Sequence, residues 1–401
     1  MGNNNLIFVL FVEVFQTLIA TCFLCSCGDF VKSDACVKSS GRWVIWSASP
    51  ASQWEDTFVT GNGRHGTMVW GQPNDERIIC VHEELFIRGW DHNKKTVPVT
   101  AQLLPEVRRL IDEGKTDEAD RLITVEADRQ LQEMGAKQRW PLIPHPAFDL
   151  HIQYPDTATS VKDGYSRRLD LETGVASVLG QGKGGVEESV FSSRTYNVNV
   201  IRLKAGKQKK INVSLRLEET PGRHGMHFEH NLDSAFTFVE SGADAGWLTY
   251  RAGYSQDPGG YEGLARITLK GGHLEQNGSS LKVEDADEIL ILVRITPLSD
   301  SRISKEKETR QELSEIPVDY KKILLPHQQE HGEMFLRMQL DLGCASDWKK
   351  IPTEQMLAAV HEQGITPLFM EQIHAMGRYL FVVNIHLPCK AFGEEVGSRP
   401  G

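Results

Sequence analysis

Ile211-Asn212-Val213-Ser214-Leu215-Arg216-Leu217 places an apolar side chain at every second position. Successive side chains on a strand point to opposite faces, so this stretch predicts one buried face and one wet face. The same pattern extends in both directions. From Trp43 to about Thr296, short runs rich in Val, Ile, Leu, Phe and Tyr alternate with Gly, Asn and Asp turns; residues 66–70, 148–154, 198–203, 264–269 and 288–295 are examples. Strands this short and this regularly punctuated predict a large antiparallel sandwich.

One helical island interrupts the strands. Between residues 105 and 134, Val107, Leu110, Ile111, Ala119, Leu122 and Ile123 recur at helical spacing, and the charged remainder forms a solvated face. Pro105 suits a first helical turn, and Gly114 divides two short helices. After Pro297 the text becomes helical. Residues 301–313 are highly charged, 320–340 have helical spacing, and 352–380 predict a helix pair split near 364–367. Strands first and helices afterwards predict separate domains, not an alternating α/β sheet.

The 401 residues exceed what one core usually holds, and 40% hydrophobic with 24% charged residues is a globular composition. A net charge of −10, with no basic stripe, argues against a nucleic-acid partner and leaves a neutral sugar open. Residues 6–24 form an apolar run broken by Glu13, Gln16 and Thr17, which predicts export through a signal peptide or a single membrane anchor. Leu24-Cys25-Ser26-Cys27-Gly28 has the form of a bacterial lipoprotein cleavage box with Cys27 lipidated, and a second possible box ends at Cys22. The expected location is periplasmic, outer-membrane lipoprotein or extracellular, with membrane contact only through that lipid. Beyond this region stand Cys36, Cys80, Cys344 and Cys389, with no C-x-x-C spacing, which makes neither a disulfide framework nor a zinc ribbon.

Gly61-Asn62-Gly63-Arg64-His65-Gly66-Thr67-Met68-Val69-Trp70-Gly71 is a turn-rich loop feeding a strand, with glycines that permit positive φ or close backbone approach. Glu76-Arg77-Ile78-Ile79-Cys80-Val81-His82-Glu83-Glu84-Leu85-Phe86 follows. Together they resemble the opening of glycoside hydrolase family 95, the α-L-fucosidase type. That family runs from a Gly-Asn-Gly-Arg-x-Gly loop into a strand and an Asn-Glu-x-x-Leu-Trp segment. His82 replaces the usual Asn and Phe86 the usual Trp. The resemblance continues in order through the helical island, Phe148-Asp149-Leu150-His151, Tyr165-Ser166-Arg167-Arg168-Leu169-Asp170-Leu171, Glu188-Ser189-Val190-Phe191-Ser192-Ser193, His331, Leu340-Asp341-Leu342-Gly343 and Gly377-Arg378-Tyr379-Leu380.

The resemblance implies a mainly β chain: a large antiparallel β super-sandwich, a helical linker and the first helices of an incomplete (α/α)6 barrel. The implied segments are a signal at 1–27, the super-sandwich at 40–298, the linker at 299–345, the start of the barrel at 346–380 and a divergent tail at 381–401. It further implies an exo-glycosidase acting on a fucosylated glycan or oligosaccharide by inversion, without a cofactor. In the family a Glu protonates the leaving oxygen, and water held by an Asn-x-Asn element is activated by an Asp. No residue here matches that Glu or that Asp, and Asn384-Ile385-His386-Leu387 lacks the second Asn. No catalytic residue is therefore assigned, and these 401 residues alone are expected to be inactive. Asn62, Arg64, His82 and Glu83 are the candidates for bordering a sugar pocket or the barrel interface. The alternative is a non-catalytic carbohydrate- or protein-binding sandwich, for which exposed members of the set Trp43, Trp46, Trp54, Trp70 and Trp90 would speak.

Other constellations have plainer readings. His327-Gln328-Gln329-Glu330-His331 fits H-x-x-E-H, but Pro326 would put His327 at a helix start, and an interdomain helix face is the better account. His224, His227 and His230 beside Glu229 lack a fourth metal ligand and read as a polar loop. The glycine-rich residues 180–185, with Lys183, lack the phosphate-loop spacing and read as a hairpin turn. Glu83 and Glu84, on a strand, would face opposite sides. No metal site is assigned. Asn212-Val213-Ser214 and Asn277-Gly278-Ser279 are glycosylation sequons, relevant to a eukaryotic secretory pathway.

Overall fold

The computed structural model describes residues 41–88, 98–135, 142–155, 165–180, 185–207, 209–220, 235–255, 258–344 and 351–384. The expectations for the signal and Cys27, for Cys36, Trp90, Lys183, the His224 cluster and Cys389, and for residues 385–401, lie outside them. In chain order the first strands are β1 (Val44–Ser47), β2 (Phe58–Gly61), β3 (His65–Val69), β4 (Asp75–His82), β5 (Phe86–Arg88), β6 (Leu142–Pro144), β7 (Phe148–Gln153), β8 (Ser166–Asp170) and β9 (Val175–Leu179). Then come β10 (Glu187–Ser193), β11 (Val198–Lys204), β12 (Ile211–Glu218), β13 (Phe236–Asp244), β14 (Trp247–Tyr254), β15 (Gly260–Lys270), β16 (His273–Asn277), β17 (Ser280–Ala286) and β18 (Glu288–Leu298). The helices are α1 (Leu104–Asp112), α2 (Thr116–Glu133), α3 (Glu306–Glu315), α4 (Tyr320–Leu336), α5 (Thr353–Gln363) and α6 (Pro367–Asn384).

The chain is mainly β. A nine-stranded sheet has the order β1-β8-β9-β10-β11-β18-β15-β14-β13, and a seven-stranded sheet the order β16-β17-β12-β7-β4-β3-β2, with all pairs antiparallel. β5 and β6 pair separately. On β12, Ile211, Val213, Leu215 and Leu217 are buried and Asn212 is exposed, as the alternation requires. Each such buried side chain contributes roughly 1.5–3 kcal/mol. The sheets meet face to face: Phe148 of β7 lies 5.1 Å, ring to ring, from Tyr250 of β14, and the Tyr261 hydroxyl donates to the Ala147 carbonyl at 2.7 Å. At one end the inter-sheet space is polar, where the hydroxyls of Thr60 and Ser192 lie 3.1 Å apart and Asn199 Nδ2 donates to Gly66 O.

The outer face of the nine-stranded sheet is covered as well. Leu313, Ile316, Tyr320 and Ile323, from α3, α4 and the turn between them, pack on Phe191, Val200, Leu264, Leu290 and Leu292. β18 is therefore apolar at consecutive positions, because both of its faces are dry. The helical island divides at Gly114 as expected, but its stripe is narrower than the spacing predicted. Val107, Leu110 and Ala119 are buried while Ile111 and Ile123 stay exposed. Those core residues form a small cluster with Leu103 and Leu122 alone, so a two-helix hairpin buries one seam and leaves its flanks wet.

Pro326 does not start a helix. α4 begins at Tyr320, capped by Asp319, whose carboxylate accepts from Lys321 N at 2.9 Å, and Pro326 lies inside it. α5 is tied to β1, since Thr353 Oγ1 donates to Trp46 O at 3.0 Å and Glu354 accepts from Ala48 N at 2.9 Å. α6 runs on past Leu380 to Asn384 and packs beside β2, with the Tyr379 hydroxyl donating to Val59 O at 2.8 Å. No helix among the described residues is long and apolar enough to cross a membrane.

Candidate functional site

The glycine-rich loop and α6 define the site together. Gly63 N donates to the Val383 carbonyl at 2.8 Å, and a Cβ on Gly61 would come within 2.8 Å of that same oxygen. Only glycine at 61 lets the C-terminal end of α6 approach so closely, and Gly63, at φ 87°, makes the turn behind it. The result is a groove of about 670 Å³ between the seven-stranded sheet and α6. Its walls are largely apolar. Trp54, Met68, Trp70, Phe86, Leu380 and Val383 are among the residues that line it. Trp54 and Phe86 each remain 37% exposed.

Of the four candidate residues, Arg64, His82 and Glu83 line this groove and Asn62 lies beneath it. Asn62 is 3% exposed and its side chain is wholly engaged. Its Oδ1 accepts from Arg64 N at 2.9 Å and His65 N at 2.8 Å, while Nδ2 donates to Ser193 O at 2.7 Å on the other sheet. Arg64 and Glu83 form an ion pair at 3.3 Å on the rim, each about two-fifths exposed. Glu83 and Glu84 follow the end of β4 in a turn, so the strand geometry expected for them does not apply. The turn is closed by Glu83 N donating to Arg64 O at 2.9 Å. Asn62→Ala strands the N–H groups of Arg64 and His65, at about 1–3 kcal/mol for each unsatisfied group, while Ser193 O keeps its bond from Asn197 N at 3.0 Å. Thermal melts of Asn62→Ala should show a clear loss, whereas Arg64→Ala and Glu83→Ala should each cost less than about 1 kcal/mol.

Behind the rim the site is dry. His65 and His82 meet edge to face, ring centroids 4.7 Å apart. Burial first, and the neighbouring His82 second, lower the His65 pKa to about 3. Burial, then Arg64, lower His82 to about 4. Neutral His65 donating from Nδ1 to Asn197 Oδ1 at 3.1 Å and accepting at Nε2 from Ile295 N at 3.1 Å satisfies both nitrogens. On the opposite side Arg77 and Thr220 line the groove and hold Asp149, at 3.0 and 2.7 Å. Burial pushes the Asp149 carboxyl up. Among the described lining residues, Glu83 is the one carboxylate open to the groove.

The H-x-x-E-H segment is packing surface. His327 and His331 are fully buried. His327 stacks on Phe191 at 4.7 Å, and His331 Nε2 lies 3.0 Å from Leu171 O as its donor. Glu330 turns away to accept from Thr195 Oγ1 at 3.0 Å. Among the described residues no three His, Cys, Asp or Glu side chains converge to hold a metal. Cys80 is a buried free thiol. The role of α6 as a groove wall was missed in the sequence. The signal was the spacing Gly61-x-Gly63, which called for close approach without naming what approaches.

A two-sheet sandwich of this size, with helices on its outer face and a groove at its glycine-rich loop, is the architecture of a glycoside-hydrolase N-terminal domain. The chain belongs to the family glycosyl hydrolase family 65, N-terminal domain, which residues 45–297 match. It is similar to alpha-L-fucosidase 2 of Arabidopsis thaliana, at 23% identity over 418 aligned residues covering 93% of this chain and 47% of that protein. The chain thus spans about half the length of that relative. A solved structure, putative kojibiose phosphorylase from human microbiome, superposes with a TM-score of 0.47 at 10% identity, covering 77% of this chain and 40% of that one. At that level it bears on neither fold nor function.

Proposed function

We propose that this chain is the N-terminal domain of a glycan-degrading exo-glycosidase of the family 95, α-L-fucosidase type, which releases terminal α-L-fucosyl groups with inversion. The single observation that carries the reading is the similarity to alpha-L-fucosidase 2 along 93% of the chain. The proposed organisation has an export signal at 1–27, a super-sandwich at 40–298, a linker at 299–345 and the first barrel helices from 346. In this reading the groove is where the catalytic half of such an enzyme docks, with Arg64, His82 and Glu83 at the junction and Asn62 shaping it. Its apolar walls suit packed side chains better than hydroxyl-rich sugar. Inversion needs two carboxyl groups about 6.5–9.5 Å apart across the bond, and among the described lining residues Glu83 is the one carboxylate.

In this reading the residues described here bind or dock, and hydrolysis belongs to the catalytic half. The test is release of L-fucose from a 2′-fucosylated oligosaccharide by purified chain lacking residues 1–27. No release is expected, and addition of the catalytic half of a full-length relative should restore it. Turnover by the chain alone would overturn the assignment of these residues as non-catalytic. The exposed faces of Trp54 and Phe86 favour one second reading, a sandwich that binds glycan without turnover, which saturable oligosaccharide binding to the same sample would establish.

A further inference from the structure

The two N-x-S sequons occupy very different places in the fold. Asn212 lies within β12, between β7 and β17, and its Oδ1 accepts from Asp285 N at 3.0 Å where the β12–β17 register shifts. That carboxamide is part of the sheet. Asn277 ends β16, and Gly278 and Ser279 form the tip of the hairpin to β17. All residues from 275 to 279 are exposed. The turn is held by backbone acceptors, Ser280 Oγ donating to Asn277 O at 2.7 Å, so the Asn277 carboxamide is not needed to form it. A Cβ on Gly278 would meet nothing within 4 Å, so the tip projects into open space.

We propose that Asn277 is an acceptor for an N-linked glycan in a secretory compartment that holds a lipid-linked oligosaccharide donor. The Asn277 nitrogen forms a bond to the anomeric carbon of the donor sugar. The bond from that carbon to the lipid pyrophosphate breaks, the pyrophosphate leaves with the electron pair, and one amide proton passes to a base of the transferase. Sequons on exposed turns suit this chemistry because the product must carry a bulky solvated group. The position also fits the rest of the fold. β16 is one terminal strand of the seven-stranded sheet and β2, which borders the groove, is the other, so a glycan at Asn277 leaves the groove clear. It would lie instead beside β16, the terminal strand of that sheet among the described residues.

The experiment is expression of the full chain behind a cleavable secretory leader in a eukaryotic host, with a C-terminal tag bearing a control sequon. Glycopeptides are read by mass spectrometry before and after enzymatic release in heavy-oxygen water, which separates a released glycan from spontaneous deamidation at Asn277-Gly278. In chains whose control sequon is occupied, the Asn277 peptide should carry glycan. Asn277→Gln and Ser279→Ala should each remove one glycan's mass, and Asn212→Gln should remove none. An unmodified Asn277 in those chains, or occupancy at Asn212 instead, would overturn the proposal.

Discussion

Gly263→Ala should be a strongly damaging single-methyl change in the sandwich. Gly263 lies in β15, and a Cβ there would sit 1.9 Å from Phe148 Cε1 and 2.4 Å from Cζ, across the interface between the sheets. Phe148 is fully buried, with Tyr250 against its ring. Overpacking a filled core costs about 1–3 kcal/mol, and a contact this short belongs at the upper end. Phe148→Ala alone should cost about 3–5 kcal/mol through the cavity it leaves. The double variant should lose far less than the sum, since the new methyl group falls into the vacated space. Urea denaturation of the four proteins measures this coupling. Additive losses would mean that β15 and β7 do not face each other as described.

Acid should unfold this chain early. His65 and His331 are held down to about 3 and His82 to about 4, in each case chiefly by burial, and burial also holds His327 well below its ordinary value. In the unfolded chain all four titrate near 6.5. The unfolded state therefore binds more protons once the pH falls below about 6.5, and stability is lost from there down to the folded values. Each group contributes up to about 1.4 kcal/mol per pH unit in that window. Three or more together amount to roughly 4 kcal/mol per unit, comparable with the whole stability of a typical domain within two units. Asp149 works in the opposite direction, since its raised pKa favours the fold as acid is added, but it is one group against four. Denaturant midpoints should hold steady above pH 7 and fall steeply between pH 6 and 4.5, and His331→Gln should reduce the proton uptake by about one. Flat midpoints down to pH 5 would show that these imidazoles are hydrated or charged in the folded protein.

What the sequence disclosed follows from how local each signal is. Alternation on β12 and the clustered apolar run of β18 are periodic within one element, so strand positions could be read directly. The helices after Pro297 announced themselves in the same way. Pro326 misled because proline is a strong start signal, yet a helix loses only one backbone bond to an interior proline, and burial of Ile323, His327 and His331 against the sheet outweighs it. The site was legible as a loop and a set of polar residues, but not as a groove. Its second wall comes from Leu380 and Val383, which are remote from Gly61 in sequence, and nothing local in either segment encodes their meeting. Asn62 reads as a ligand candidate in one dimension and proves to be a joint between two sheets. Glu83 and Glu84 were misjudged because a strand and the turn that ends it look alike over two residues.

The bond from Thr353 to the Trp46 carbonyl joins residues 307 positions apart, and β1 is a terminal strand of its sheet. On a translating ribosome, at about 5–20 residues per second, roughly 15–60 seconds pass between the synthesis of that strand and the arrival of the helix that seals it. Once β8 has been made and paired with β1, the nascent chain carries an open β edge until that helix arrives. An exposed strand edge held open for that long favours aggregation during synthesis.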